Sequence, residues 1–551
     1  MRRILSIVVC VAVMLVSCRK DIENALPAGG TEMTFNASIS ENNDKTYLDG
    51  YEVKWAEGDA INVNGDLVNL VSGYDTKNGV FRGNVTGIGD GAEKTYIAGY
   101  PADAVTYSNG EMKVSIPTKQ RYDATKPLLG QMPMLAKVTG TGEEMTFVFE
   151  NVANILKLNL YGNTKRLKEI IIHSSDAHIS GEAAACSSSV EITSFTPDGA
   201  GSSHYIHIVF DNALTLSPDQ NNPTPVYVII PKITVATTLT VKMYAEDGFS
   251  QTERISADAT TFNSSNMIYK TSAKLFSATE NTHEIPALFS VGVGKQVMFT
   301  NGNIYWDGDS FEFENSQTAR TTSWNVNHVS HFYWQPESRM TNSYSGLAYD
   351  GTDANNSDVF FTNFQNNGNS DKPNPDFTIS GYSGKYRVLT ESEKEYLLKS
   401  RDNCEKLVFK GVLKNESNLK VLIICPDGFT FMDAGISPEF TGINNMTDDT
   451  FANEISSDTK TKLEAAGAVI LPVGGYKKEQ VFGWNDVIGL YWLGDADATG
   501  FVGERANGLA FGFFSGYGGY DARNYGYMVR LVSDFGSVGV GSAAPFGEDT
   551  W

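Results

Sequence analysis

The sequence predicts a mainly β protein in three parts. Two tandem β-sandwiches are expected over residues 31–143 and 144–275, followed by an α+β domain over residues 289–533. Three observations carry this reading. From Met33 to residue 275 the chain runs in short alternating stretches of strand length, such as Glu52-Val53-Lys54-Trp55 and Lys113-Val114-Ser115-Ile116, with no long amphipathic helix. Asn-Gly and Asp-Gly pairs recur at Asn64-Gly65, Asn78-Gly79, Asp90-Gly91 and Asn109-Gly110, and such pairs supply the positive φ of tight hairpin turns. Helix signals first appear beyond residue 289, mixed among strands.

A chain of 551 residues is too long for one hydrophobic core, so about three domains are expected. Hydrophobic residues make up 41 % and aromatics 11 %, enough to fill them. The formal charge of -22 excludes a nucleic-acid binder, because phosphate recognition needs clustered Lys and Arg. An acidic balance of this kind suits a solvated, exported surface.

At the N-terminus, Arg2 and Arg3 precede an apolar run over residues 4–16, too short to span a bilayer and built like a secretory signal. It ends in Leu15-Val16-Ser17-Cys18, which resembles the lipobox of bacterial lipoproteins. That resemblance implies a signal peptide over residues 1–17, lipidation of Cys18 and a tether over residues 18–30. Several acyl chains on Cys18 would exceed the two signals that stable anchoring needs. Arg19, Lys20, Asp21, Ile22 and Glu23 then resemble the export signal that places Bacteroides-type lipoproteins on the outer leaflet of the outer membrane. With Cys10 in the signal and Cys18 acylated, Cys186, Cys404 and Cys425 remain, too few and too scattered for a disulfide framework. A Cys404–Cys425 bridge and two free thiols both stay open.

In the first half, Thr46 and the run Val53-Lys54-Trp55-Ala56-Glu57-Gly58-Asp59-Ala60-Ile61-Asn62-Val63 stand out. So do Phe149-Glu150-Asn151-Val152-Ala153-Asn154-Ile155-Leu156 and Tyr227-Val228-Ile229-Ile230-Pro231. These residues resemble the motifs of fimbrillin-like proteins, the pilus subunits and surface lipoproteins of Bacteroides-type bacteria. The resemblance covers residues 31–275 and implies two tandem sandwiches, a surface location and other fimbrial subunits as partners. The chain continues far beyond this part, which favours a tip, accessory or stand-alone role over a shaft subunit.

Residues 276–288 read as a polar linker. Beyond them, Phe289-Ser290-Val291 starts a new strand pair, and residues 315–374 form a long irregular stretch rich in Asn, Ser and Gly. Thr390 with Glu393 is a capping box, predicting a helix through Leu398, and a second helix is expected around residues 460–466. Leu389-Thr390, Ile424-Cys425-Pro426-Asp427, Gly489-Leu490-Tyr491-Trp492 and Gly526-Tyr527-Met528-Val529-Arg530-Leu531-Val532 resemble, in this order, a C-type-lectin-like domain. Its relatives are the sulfatase-modifying-factor and major-paralogue domains. The same fold carries the variable site of proteins diversified by retroelements, just before that ending. Residues 534–551 read as a Gly/Ser-rich tail.

No catalytic constellation stands in the sequence, and neither a metal site nor a cofactor is expected. Nothing after Cys425 is a cysteine, so the chemistry of the formylglycine-generating relatives has no thiol pair to use. His328 and His331 have ligand-like spacing without supporting partners. Trp484-Asn485-Asp486 copies a lectin calcium triplet and reads as coincidence. Asp495, Asp497 and Thr499 echo the start of a calcium loop, but Ala506 stands where its last carboxylate belongs. Trp492 and Arg530 read as packing residues. The candidate ligand-binding residues are Tyr517, Tyr520, Asp521, Arg523, Asn524 and Tyr525, with Asp495 and Asp497 beside them. Aromatics and Arg among glycines suit adaptable recognition. Two functions follow: a cell-surface adhesin or fimbrial tip protein binding a protein or glycan, or a structural fimbrial component that binds none.

Overall fold

The computed structural model describes residues 31–39, 54–334 and 386–496 with short gaps, and then 360–361, 505–512, 520–522, 526–535 and 547–550. The signal stretch, Cys18, the tether and Thr46 lie outside the described residues, as does most of the irregular stretch after residue 334. The chain is mainly β, as its alternating pattern predicts.

The first sheet closes on itself. Its seven strands run in the order Thr31–Ile39, Glu144–Asn151, Met134–Gly140, Lys94–Tyr100, Ala60–Val63, Asp66–Ser72 and Asn78–Val85, with the last paired back to the first. Closure leaves no free edge, which removes a site for unwanted strand pairing. Inside, Trp55 is fully buried and meets Phe81, Tyr100 and Phe149 edge-on, with ring centroids 4.9, 5.1 and 5.4 Å away. Asp59 fixes the approach to this tryptophan. One of its carboxylate oxygens accepts from the Ala56 amide at 2.6 Å and the other from the Tyr100 hydroxyl at 3.0 Å.

Two of the expected hairpin turns form as predicted. Asn64-Gly65 has φ of 49° and 99°, and Asn109-Gly110 has 53° and 77°. Asp90-Gly91 lies outside the described residues. Asn78-Gly79 is a correction: both residues lie within the strand Asn78–Val85. A Cβ on Gly79 would meet Leu70 Cδ1 at 2.7 Å and Trp55 Cδ1 at 2.9 Å, so glycine is there to admit the tryptophan.

The division expected at residues 143/144 is not where pairing changes partner. Glu144–Asn151 belongs to the barrel, in parallel register with Thr31–Ile39. An earlier segment, between the barrel strands Lys94–Tyr100 and Met134–Gly140, leaves the barrel instead. Glu111–Ile116 pairs with Gly181–Ser187, and Lys119–Tyr122 runs parallel to Tyr205–Leu214. Gln120, buried, locks that crossing: its amide exchanges bonds of 2.8 and 2.9 Å with the backbone of Ile229. The second unit proper has two sheets. One carries Thr224–Ile230, Asn154–Tyr161 and Met267–Lys270; the other has Phe249–Ser256, Leu239–Ala245, Leu167–Ser174 and Tyr205–Leu214 in that order. One core joins strands of both sheets, with Ile155, Leu158, Val226 and Val228 in the same cluster as Ile170, Ile172, Ile206 and Met243.

The stretch at 276–288 is no free linker. Phe276, Ala278 and Leu288 are fully buried, and Leu288 packs with Met298 against Ile171, Tyr205 and Tyr244 of the second unit. Its sequence looks polar because the apolar residues are spaced singly rather than in runs. The third unit has a four-stranded sheet ordered Asn453–Ile455, Val408–Leu413, Leu419–Ile424 and Val469–Pro472. Helix α1, Glu391–Glu395, starts with the expected capping box and continues as a wider turn over Tyr396–Ser400. Helix α2, Ser457–Ala465, is capped by Ser456 and buries Leu463. Arg387 forks onto Glu393 at 2.7 and 2.8 Å and reaches Asp534 at 2.6 Å, tying α1 to the last core strand, Val532–Asp534. The expected tail also differs in part: Gly547–Thr550 adds antiparallel to Met267–Lys270 at the edge of the second unit. The run Gly547-Glu548-Asp549-Thr550 has no apolar alternation to announce a strand.

Where the second unit meets the third, on the strand Leu167–Ser174, His173 is buried and its ring lies 5.0 Å from that of Phe535. Burial, and secondly the neighbouring His204, lower its pKa to about 4 from 6.5. The unfolded chain therefore takes up a proton that the folded chain refuses. Stability should be full above pH 6.5 and fall as pH drops toward 4, by up to about 3 kcal/mol. Denaturant midpoints across that window, for the native chain and for His173→Gln, check this; an equal slope in both would contradict it.

Candidate functional site

The region singled out in the sequence forms a three-stranded antiparallel sheet of Ile488–Ala496, Arg505–Gly512 and Tyr520–Ala522. Its register opposes Ile488 to Gly512 and Trp492 to Gly508, then shifts so that Ala496 opposes Ala506. Bulges of this kind re-aim side chains at sheet edges. Gly489 permits the pairing, because a Cβ there would sit 2.1 Å from the Phe511 ring.

The inner end of the sheet is anchored deep in the third unit. Tyr491 donates its hydroxyl to the Pro472 carbonyl at 3.1 Å, and burial pushes its pKa up. Trp492 donates from its indole to the Phe332 carbonyl at 2.6 Å and stacks on Tyr527 with centroids 4.2 Å apart. Arg530 lies 5 % exposed beneath them. It donates to Asn303 Oδ1 at 2.9 Å, the Gln317 carbonyl at 2.8 Å, the Thr300 carbonyl at 3.2 Å and the Ile470 carbonyl at 3.3 Å. Burial lowers its pKa to about 10, still charged at neutral pH. Trp492 and Arg530 are thus framework, as the sequence suggests.

The outer end collects part of the candidate binding set. Tyr520 opposes Asn507 and Asp521 opposes Ala506, on the edge strand. Asp495 falls in the shifted segment, facing the same stretch of the middle strand. The backbone therefore brings Asp495, Tyr520 and Asp521 to one end of one sheet. Tyr517, Arg523, Asn524, Tyr525 and Asp497 lie outside the described residues.

The rival motifs resolve into structural roles. His331 is fully buried and its Nε2 meets the Gly474 carbonyl at 2.9 Å, while His328 Nε2 meets Glu314 at 2.7 Å and its ring stacks on Tyr305. Trp484 is half-exposed with φ 56°, and Asn485 donates to the Thr322 carbonyl at 3.4 Å, so this triplet makes a turn. Among the described residues no three His, Cys, Asp or Glu side chains are grouped to hold a metal ion. Cys186, Cys404 and Cys425 are free thiols, and burial pushes the Cys425 pKa well up. Sequence reasoning missed a cavity of about 420 Å³ between the second and third units, walled by His178, His204, Arg401 and Asp427 among others. Its walls come from segments two hundred residues apart, so no local motif could signal it.

No family model matches the chain, and no curated protein matches it. Among solved structures it is similar to a Bacteroides ovatus protein assigned to cell adhesion, at 15 % identity over 46 % of this chain and 94 % of that chain, with a TM-score of 0.29. It is also similar to a fimbrial assembly protein of Parabacteroides distasonis, at 12 % identity over 52 % and 99 % of the two chains, TM-score 0.22. A third likeness is to the tip fimbrial protein of Porphyromonas gingivalis with a C-terminal truncation, at 9 % identity over 45 % and 97 %, TM-score 0.21.

The framework role of Arg530 has a measurable consequence. Arg530→Met leaves buried acceptors on Thr300, Asn303, Gln317 and Ile470 without their donor, at about 1–3 kcal/mol for each that stays bare. Chemical denaturation should show a loss of several kcal/mol, with Arg530→Lys intermediate. An unchanged midpoint would show that those acceptors find other donors.

Proposed function

We propose that this chain is a cell-surface lipoprotein adhesin, anchored in the outer membrane through Cys18 and acting as a fimbrial tip or accessory protein. Its lectin-like third unit presents the outer end of the three-stranded sheet to a protein or glycan. The observation that carries the reading is the division of labour in that sheet. One end is locked by Tyr491, Trp492 and Arg530, while Tyr520 and Asp521 stand on the short edge strand at the other. Recognition residues carried on a rigid base are what a binding surface requires. The segment holding them also lies where retroelement-diversified proteins of this fold vary. A copy of the coding segment beside a reverse-transcriptase gene would extend the reading in that direction.

The direct test uses the full chain on a glycan array and a panel of host surface proteins. Against whatever binds, Tyr520→Ala or Arg523→Ala should weaken affinity by about 1–3 kcal/mol. On this reading the melting temperature should stay within a degree or two, since substitutions away from a packed core change stability little. If Tyr520→Ala unfolds the protein and leaves binding intact, the strand is scaffold and the protein is a structural fimbrial component.

The anchor is tested separately. Cys18→Ala should leave the precursor unacylated and move it out of the outer-membrane fraction. A variant that remains membrane-bound and open to external protease would remove the lipoprotein part of the reading.

A further inference from the structure

We propose that the seam between the second and third units opens in acid: charge on His173, His178 and His204 parts the third unit from the second while each unit stays folded. The device is separate from the sheet that ends in Tyr520 and does not rest on the adhesin reading.

The backbone gathers three histidines that no sequence motif connects. His173 lies on the strand Leu167–Ser174, and the Ser174 amide donates to the His204 carbonyl at 2.8 Å. The Ile179 amide donates to the Ser203 carbonyl at 2.8 Å, which brings His178 beside His204. The His178 and His204 rings meet edge-on with centroids 4.4 Å apart, and those of His204 and His173 lie 6.4 Å apart. Neutral rings suit this packing. His204 Nδ1 donates to the Ser174 carbonyl at 3.2 Å, and His178 Nδ1 meets Ser202 Oγ at 2.9 Å. Imidazolium charges this close repel, the more strongly where water is excluded.

The third unit is what excludes it. Within its own sheet His173 is opposed by Tyr205 and Thr240, while Phe535 of the third unit lies against its ring. Phe535 packs with Leu288 and Met298 on Ile171, Tyr205 and Tyr244. Water reaches a charged His173 with least disruption when these third-unit residues move away and the sheet stays intact. His178 and His204 line the second unit's side of the cavity in the same seam.

The acids around the cluster are mostly committed. Asp427 is engaged by Arg401, Ser290 and Gln296, and Asp534, next to Phe535, by Arg387. In the sheet of His173, Lys242 pairs with Glu284, and His207 meets Glu169 at 2.8 Å. Lys406 and Asp402 stand exposed together on the third unit's rim of the cavity. Asp176 favours charge on His204, but burial and then His178 outweigh it and lower the His204 pKa. For His173, burial and then His204 lower the pKa to about 4 from 6.5. Both shifts belong to the closed seam, so closure is fully favoured above pH 6.5 and loses ground as pH falls toward 4.

Hydroxyl-radical footprinting of the full chain from about pH 7 to about pH 4.5, read by mass spectrometry, tests this. Met298 is fully buried at the seam, and Met134 is fully buried in the barrel. Oxidation of Met298 should rise by up to about tenfold for each pH unit below about 6, while Met134 stays protected. His173→Gln should flatten that rise. His204→Gln, on the cavity side, should move it to lower pH, and it decides the matter if His173→Gln fails to fold. Met298 protected throughout, Met298 and Met134 exposed together, or an unchanged profile in the folded variant would each overturn the proposal.

Discussion

The third unit depends on one buried cation. Arg530 reaches Thr300 and Asn303 in one segment, Gln317 in a second and Ile470 in the sheet strand Val469–Pro472, and its charge is met by dipoles rather than by a carboxylate. Gln317 extends the arrangement, since its own amide bonds the Ile470 amide at 2.8 Å and the Ala468 carbonyl at 3.0 Å. Irregular segments can be buried only if their backbone groups are satisfied, and five guanidinium donors do this for several at once. The strands Ile488–Ala496 and Val532–Asp534 then have fixed neighbours to build against. The three-stranded sheet of Ile488–Ala496, Arg505–Gly512 and Tyr520–Ala522 is positioned through this arrangement.

The same logic, with different groups, operates where the second and third units meet. Leu288 and Met298 supply apolar contact to Ile171, Tyr205 and Tyr244, and the buried pair Lys242 and Glu284 sits beside them. Asp427 is the polar hub: its backbone meets Leu288 and Tyr205, and its carboxylate meets Ser290, Gln296 and Arg401. A seam held by so many specific bonds orients the third unit against the second, and the strand Gly547–Thr550 adds backbone pairing to Met267–Lys270 of the second unit. The cavity over Arg401 is the part of this seam that protein groups leave unfilled.

Local physics was legible in the sequence and long-range pairing was not. The Thr390–Glu393 capping box, the turns at Asn64-Gly65 and Asn109-Gly110, and the packing roles of Trp492 and Arg530 each depend on residues close in sequence or on side-chain size and charge. Asn78-Gly79 misled because glycine serves two purposes, positive φ and close approach, and only the position of Trp55 distinguishes them. The boundary at 143/144 misled because strand exchange between units leaves no compositional mark: Lys119–Tyr122 reads as any half-buried strand whichever sheet it joins. At the candidate site, residue types indicated recognition, but neither the register shift near Asp495 nor the edge position of Tyr520 follows from periodicity.

The placement of Tyr520 and Asp521 on the outer strand bears on the proposed binding role. Among the described residues Tyr520–Ala522 is paired with one neighbour, Arg505–Gly512, and that neighbour is held in turn by Ile488–Ala496. Support for the sheet therefore weakens stepwise from the buried tryptophan outward. Local opening free energies follow such gradients, lowest where few buried contacts hold an element. A substitution at Trp492 or Arg530, by contrast, perturbs contacts to several segments of the unit. On the proposed reading, a surface that meets a partner is best built where the fold has least to lose.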